Sequence, residues 1–249
     1  MANEIIDQLE NHRSVRQFTD QPLTKLEVAQ LISAAQHAST STFSQQYSII
    51  SVTDPKQKAI LGEISGHHWL EKSGHFLLMV VDQYRNLQIA KNEGIPADVL
   101  GTTDKFLAGV MDAAIATENI MVAAESLGLG GTIMGSILND SKRVIDTFNL
   151  PELTFPLLGI ALGHPAVTPG LKPRMPEAMM HFEGGYKLPA DFSTQLNGYD
   201  AALNAYYQSR NSNARPESFT HHIVQGLSRD PKLRAELKGV IAGQGFLAD

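Results

Sequence analysis

The chain has 249 residues, with 26 acidic against 20 basic side chains and a formal net charge of −6. That length suits one large domain or a compact core with appendages, and the acidic balance argues against a general nucleic-acid binder, which needs a basic surface to displace counterions. Cysteine is absent, which excludes disulfides, thiolate metal sites, iron–sulfur clusters and cysteine nucleophiles together.

The chain opens with early acids, Glu4 and Asp7, and no basic stretch ahead of an apolar one, so a signal peptide is not expected. Residues 3–11 read as a short helix, followed by the irregular basic stretch His12-Arg13-Ser14-Val15-Arg16. The next helix starts at Thr24, which has capping-box spacing to Glu27 and a Leu23–Val28 staple. Its buried face is expected at Val28, Leu31, Ile32 and Ala35, and it runs out in Ser39-Thr40-Ser41-Thr42. Tyr47–Thr53 alternates as a strand, Pro55–Ile64 is a helix closed by Gly66, and Phe76–Val81 is a strand apolar on both faces. Lys105–Leu127 has Leu107, Val110, Met111, Ala114, Met121 and Ala124 along one side, while Ile115, Ile120 and Val122 make other sides apolar too, so it reads as the central helix, with Gly128 as its stop. Thr132–Met134 and Phe155–Leu162 read as strands around a short helix near 141–148, and helices follow near 191–208, 216–227 and 231–241.

This order is not the regular strand–helix repeat of a doubly wound fold. It predicts an α+β sandwich: one domain over 1–249, with a core over about 1–165 and a C-terminal helical extension over about 190–249. Continuous apolar runs such as Phe76–Val81 fall far short of the ~20 residues of a membrane helix. A soluble, cytoplasmic protein is expected, with no membrane or nucleic-acid partner. Charged residues make up 18% of the chain, below the roughly 25% of an average protein, which points to surface buried against another subunit.

Several motifs fail on inspection. Gly128-Leu129-Gly130-Gly131 lacks the third glycine of a dinucleotide fingerprint, since Ile133 stands there, and it leaves a helix for a strand, the reverse of the required order. It reads instead as a helix stop and a loop of close backbone approach. Ser126 follows a helix, where a nucleophile elbow needs a strand. His67-His68 and His221-His222 are adjacent pairs that diverge on a helix, so no metal site is expected. The basic residues say more. Arg13 and Arg16 lie in one short loop, and Lys172 and Arg174 flank Pro173 in a second. Four such cations beside a Ser/Thr run can cradle one phosphate dianion, arginine giving bidentate contacts; ordinary surface charge is the alternative.

At these same residues the sequence resembles the oxygen-insensitive, FMN-dependent nitroreductases and NADPH–flavin reductases. The matching pieces are His12–Phe18, Ala38–Gln45, Ala123–Gly131, Leu171-Lys172-Pro173-Arg174-Met175-Pro176, and Tyr206-Tyr207 with Ser209–Asn213. They occur in family order over residues 11 to about 222, closest to the NADPH-preferring branch with a long C-terminal extension. The resemblance implies a central mixed sheet flanked by helices, and a homodimer with FMN at its interface. It implies that His12, Arg13, Ser14 and Arg16 hold the ribityl-phosphate end with Lys172 and Arg174. Thr40, Ser41 and Thr42 would meet the flavin from the other subunit, and Ile133-Met134-Gly135-Ser136 would run past the ring. His68 stands where relatives usually have glutamine, and Gly135-Ser136 where they often have Gly-Gly; both alter hydrogen bonding around the ring.

Arg210 and Arg215 bracket the polar stretch Asn211-Ser212-Asn213-Ala214. An ordinary linker with solvated arginines is one reading; the resemblance implies a grip on the 2′-phosphate of NADPH. The implied activity is ping-pong: hydride from NADPH to flavin, then two electrons to a nitroaromatic, quinone or free flavin. The alternatives are a flavin or quinone reductase with a non-nitro acceptor, or a non-catalytic flavin-binding protein.

Overall fold

The computed structural model describes residues 3–210, 213–228 and 231–249. Asn211 and Ser212, part of the expected NADPH loop, lie outside the described residues. The first helix, α1 (Glu4–Glu10), is capped by Asn3, whose side chain accepts from the Ile5 and Ile6 amides. In α2 (Lys25–Gln36) the expected capping box forms: the Thr24 amide donates to Glu27 Oε2 at 2.6 Å and the Glu27 amide to Thr24 Oγ1 at 3.2 Å. There follow β1 (Tyr47–Ser51), α3 (Pro55–Ser65), β2 (His75–Asp82), α4 (Tyr84–Glu93) and α5 (Thr103–Ser126). The chain continues with β3 (Gly130–Met134), α6 (Ser141–Phe148), β4 (Thr154–Gly163), α7 (Phe192–Gln208), α8 (Phe219–Leu227) and α9 (Leu237–Gly243). Gly128, at φ 74°, stops α5 in the left-handed region as expected. The helix expected over 231–241 is divided into a 3₁₀ turn, Pro231–Arg234, and α9.

Among the described residues the strands form one four-stranded sheet in the order β1-β2-β4-β3. All three pairings are antiparallel. The parallel component expected of a mixed sheet is confined to a single bridge, Ser14 to Gly131. Packing divides the chain into two units, Met1–Thr168 with Lys232–Asp249, and Pro169–Pro231. The expected extension over about 190–249 is shared between them.

In the first unit the sheet is covered on both faces. Leu77 and Met79 of β2 pack with Leu31 and Ala35 of α2 and with Ala116, Ile120 and Met121 of α5. The alternate residues Phe76, Leu78 and Val80 pack on the other face with Leu61 of α3, Ile137 and Val144. A strand buried on both faces needs apolar residues at every position, which is why β2 reads as a continuous run.

Only part of the apolar surface read for α5 is core. Phe106, Ala108, Asp112, Ala113, Ala116, Thr117, Ile120, Met121 and Ala124 are buried, whereas Leu107, Met111 and Ala114 are exposed. With Ile115, Leu107 and Met111 make an exposed apolar stripe at steps of four residues. By length and composition α5 could also cross a membrane. Continuous-run counting misses this because Asp112, Thr117 and Glu118 interrupt the apolar residues. The packing of α5 on α2 and the sheet makes it the core helix of this unit.

His75, at the start of β2, shares a hydrogen bond between its Nε2 and Ser51 Oγ at 3.0 Å. Burial, and then the Lys58 charge, hold its imidazole below the ordinary value of 6.5. The unfolded chain therefore takes up the proton first as pH falls, so stability is full above 6.5 and declines as pH drops toward the folded value. His75→Gln is expected to flatten the fall in Tm between about pH 7 and 5. Parallel Tm curves for the variant and the wild type would refute this.

The second unit comprises α7, α8 and the preceding loop. Its helices and loop line an open pocket of about 380 Å³, bounded among others by Met175, Met179, Phe192, Leu196, Ile223 and Val224.

Candidate functional site

The basic segment after α1 is held by main-chain bonds. Val15 N donates to Gly131 O at 2.9 Å, Thr132 Oγ1 donates to Val15 O at 2.7 Å, and Ser14 forms its bridge to Gly131. This approach requires glycine. A Cβ on Gly130 would sit 2.5 Å from Val15 Cγ2, so the loop of close approach read from the sequence is present. His12 Nδ1 lies 2.6 Å from Glu125 Oε1 at the end of α5. With a carboxylate as acceptor, Nδ1 carries the proton and Nε2 points elsewhere. Arg13 donates through one terminal nitrogen to Asn11 O at 2.8 Å, while its Nε is buried with no hydrogen-bond partner. A buried guanidinium N–H without an acceptor is costly, and an anionic ligand would satisfy it. Arg16 is exposed on the same clamped segment.

The strand that clamps this segment leads directly into residues 133–136. Ile133 is exposed, Met134 is buried in the core, and Gly135 and Ser136 are half-buried. Nothing lies within 4 Å of where a Gly135 Cβ would stand, so a flat group can lie against this backbone. Arg234 donates to Gly135 O at 2.8 Å and to Asn139 Oδ1 at 3.2 Å, bracing the turn.

Thr40, Ser41 and Thr42 sit on a tight turn whose backbone is unusual. Thr42, Phe43 and Gln45 all have positive φ, between 47° and 57°. The buried Asp112 carboxylate holds this turn, accepting from Ser41 N at 2.7 Å and Gln46 N at 3.0 Å. Gln83 Nε2 donates to Gln46 Oε1 at 2.6 Å, and Arg85 reaches the carbonyls of Gln45 and Tyr47, at 3.2 and 2.8 Å. Asp112 and Glu125 anchor the two segments to one helix, thirteen residues apart, a separation of about 20 Å along its axis. His68 is exposed in a 3₁₀ turn and bonds Glu71 Oε1 at 2.9 Å.

In the second unit, Lys172 and Arg174 are exposed on a loop tied to α7. Tyr199 and Tyr206 donate to the carbonyls of Pro173 and Gly170, both at 3.4 Å, and Arg174 donates to Lys172 O at 3.0 Å. Arg210 and Arg215 are brought together with Lys172 around one aromatic ring. Lys172 Nζ lies 5.6 Å from the Tyr207 ring centroid, Arg210 Cζ 5.5 Å and Arg215 Cζ 4.5 Å. Glu217 accepts from Arg215 Nε at 3.3 Å and pairs with His221 Nδ1 at 2.8 Å. These bonds, His221 first, hold its carboxyl below the ordinary 4.5.

The nitroreductase family model matches residues 9–164, and the model of the family's C-terminal domain matches 172–249. The chain belongs to the nitroreductase family. It is 38% identical over 247 residues to the FMN reductase (NADPH) of Bacillus subtilis, covering 98% of each chain. An NADPH-dependent oxidoreductase of Staphylococcus saprophyticus is 35% identical over 253 residues, covering 99% of each. Among solved structures, the NfrA1 nitroreductase from B. subtilis superposes with a TM-score of 0.92 at 38% identity, covering 98% of this chain and 100% of that one. The NADPH:FMN oxidoreductase from Vibrio harveyi, solved with NAD+, gives 0.87 at 29% identity, covering 99% and 100%. The expected α+β nitroreductase fold is therefore the fold of this chain.

Within this nitroreductase frame, four residues were not read from the sequence as part of the site. Asp112 is one of four acids in α5, and an acid in a helix ordinarily reads as a solvent-facing position. Glu125, Tyr207 and Arg234 act through partners far away in sequence or across a turn. Tyr207 alone carried a usable signal, an aromatic three residues before the first arginine of the loop.

Proposed function

We propose that this nitroreductase is an FMN-dependent enzyme that takes a hydride from NADPH and passes two electrons to a nitroaromatic, a quinone or free flavin. The carrying observation is Arg13, a cation with a buried and unpartnered Nε on a segment clamped to β3. The names of the relatives in B. subtilis and V. harveyi support the choice of FMN and NADPH. When bound, FMN supplies the electron chemistry itself, so the part left to the protein is to bind and orient it and its substrates.

In this reading Arg13, Ser14 and Arg16, with Lys172 and Arg174, bind the flavin phosphate. His12, its Nδ1 committed to Glu125, orients the same segment and offers Nε2 to the ribityl end. The Ile133–Ser136 backbone supports the ring, with His68 near its polar rim, and Arg210 and Arg215 bind the 2′-phosphate of NADPH. The proposed compartment is the cytoplasm.

The purified protein is expected to be yellow, with one FMN per subunit. Arg16→Ala should weaken FMN binding tenfold to hundredfold, because a charge-assisted contact contributes about 1.5–3 kcal/mol. A protein that takes up no FMN on titration would overturn the reading. Rates across nitro, quinone and flavin acceptors identify which acceptor class the enzyme prefers.

The proposal includes a homodimer. The exposed stripe Leu107, Met111 and Ile115 needs cover, as does Phe43, 82% exposed beside the 40–42 turn. The separation of about 20 Å between the anchors of that turn and of the phosphate segment suits a flavin served by two chains. Sedimentation at micromolar concentration is expected to give a dimer; a stable, active, FMN-loaded monomer would refute it.

A further inference from the structure

Three cations gathered on one aromatic ring need an explanation. Lys172, Arg210 and Arg215 all lie within 5.6 Å of the Tyr207 ring centroid. The carboxylate bonded to this group is Glu217, and it is shared with His221. Like charges brought this close repel, and the π-face of tyrosine offsets part of that repulsion. Arg215 also donates its backbone N–H to Tyr207 O at 3.4 Å, and Glu217 N donates to Asn204 Oδ1 at 3.2 Å. The far end of the loop is thus folded back on the C-terminal turns of α7, and the ring is the surface on which its arginines rest.

We infer that Tyr207 is a specificity-determining residue: its ring is the platform that presents Arg210 and Arg215 to the 2′-phosphate of NADPH. A guanidinium resting on a ring spends its flat face on the contact and keeps its in-plane N–H donors for an anion. Arg215 commits Nε to Glu217 and retains its two terminal nitrogens; Arg210 makes no hydrogen bond among the described residues. Arg210 and Arg215 against the single Glu217 carboxylate leave positive charge for an anion, while Lys172 is assigned to the flavin phosphate. Tyr207 itself does not touch the phosphate. It acts through the arginines, so it is a positioning residue. The inference rests on the assignment of Arg210 and Arg215 to NADPH made above.

The test uses FMN-loaded holoenzyme and two readouts: kcat/KM with NADPH and with NADH, and calorimetric binding of 2′,5′-ADP against 5′-AMP. Tyr207→Leu, assayed after saturation with FMN, is expected to weaken 2′,5′-ADP and raise the KM for NADPH about tenfold, while 5′-AMP binding and the KM for NADH change far less. Tyr207→Phe and Tyr207→Trp, which keep a ring, should retain the preference. If Tyr207→Leu fails to hold FMN, the ring series carries the comparison, with Phe and Trp keeping the preference and His, the weakest ring, losing part of it. Unchanged preference in Tyr207→Leu, or a ring series without trend, overturns the inference while Arg210→Ala still reports on the 2′-phosphate assignment. If Arg210→Ala and Arg215→Ala both leave the preference intact, that assignment falls and the inference with it.

Discussion

Asp112→Ala is expected to lower the stability of the folded protein by about 2–4 kcal/mol, read as a shift in the urea midpoint at constant m-value. The carboxylate is 1% exposed and accepts from Ser41 N, Gln46 N and Gln46 Nε2, the last at 3.3 Å. Alanine would strand these donors in a place water does not reach easily, and a buried donor left unpaired costs about 1–3 kcal/mol. The same bonds hold a turn with three non-glycine residues at positive φ, conformations that are unfavourable unless the surroundings enforce them. Proteolysis should therefore quicken near Phe43 in the variant before the rest of the chain becomes susceptible. Asp112→Asn would keep one acceptor and face its amide against a second donor, so it should recover only part of the loss. An alanine variant with an unshifted midpoint would show that the turn stands without its anchor.

Arg210→Ala is expected to raise the KM for NADPH sharply while NADH kinetics and FMN content stay nearly unchanged. The two dinucleotides differ by the 2′-phosphate, so discrimination comes from the groups that meet it. Two charge-assisted contacts of about 1.5–3 kcal/mol each give a preference of the order of a hundredfold or more in kcat/KM. Removing one should cost at least tenfold of this. The structure supports the pairing of the two arginines, since both rest on the Tyr207 ring. Equal use of both cofactors by the wild type, or parallel loss with both in the variant, would show that the loop does something else.

Most elements were legible because local chemistry and burial agree in them. The Thr24–Glu27 box, the two-faced apolar run of β2 and the Gly128 stop each carry their own signal. Helix α4 carries only its stop, Gly94 at φ 66°: its N-cap, Gln83, makes no side-chain capping bond, and it buries no residue fully. Helix α5 reads as apolar on several sides, and the sequence does not say which of them the core covers. Its exposed Leu107, Met111 and Ile115 are as apolar as its core side, so periodicity alone could not choose between them. The cationic segments proposed for the site stand out in the sequence by residue type and spacing. Their supports do not, because Asp112 meets residues 66 and 71 positions away and His12 meets Glu125 across 113. Such pairings are products of the tertiary fold.

In the order β1-β2-β4-β3, strand β3 ends the row, and an end strand offers unpaired amides and carbonyls to any other chain. Residues 14 and 15, through the bridge to Gly131, cover part of that open flank. The segment assigned to the flavin phosphate is thus also a guard against strand-to-strand association. Flavin that fastens this segment in place also fastens the guard, so apoprotein should be the more prone to aggregate on storage or mild heating, through β3 rather than through its core.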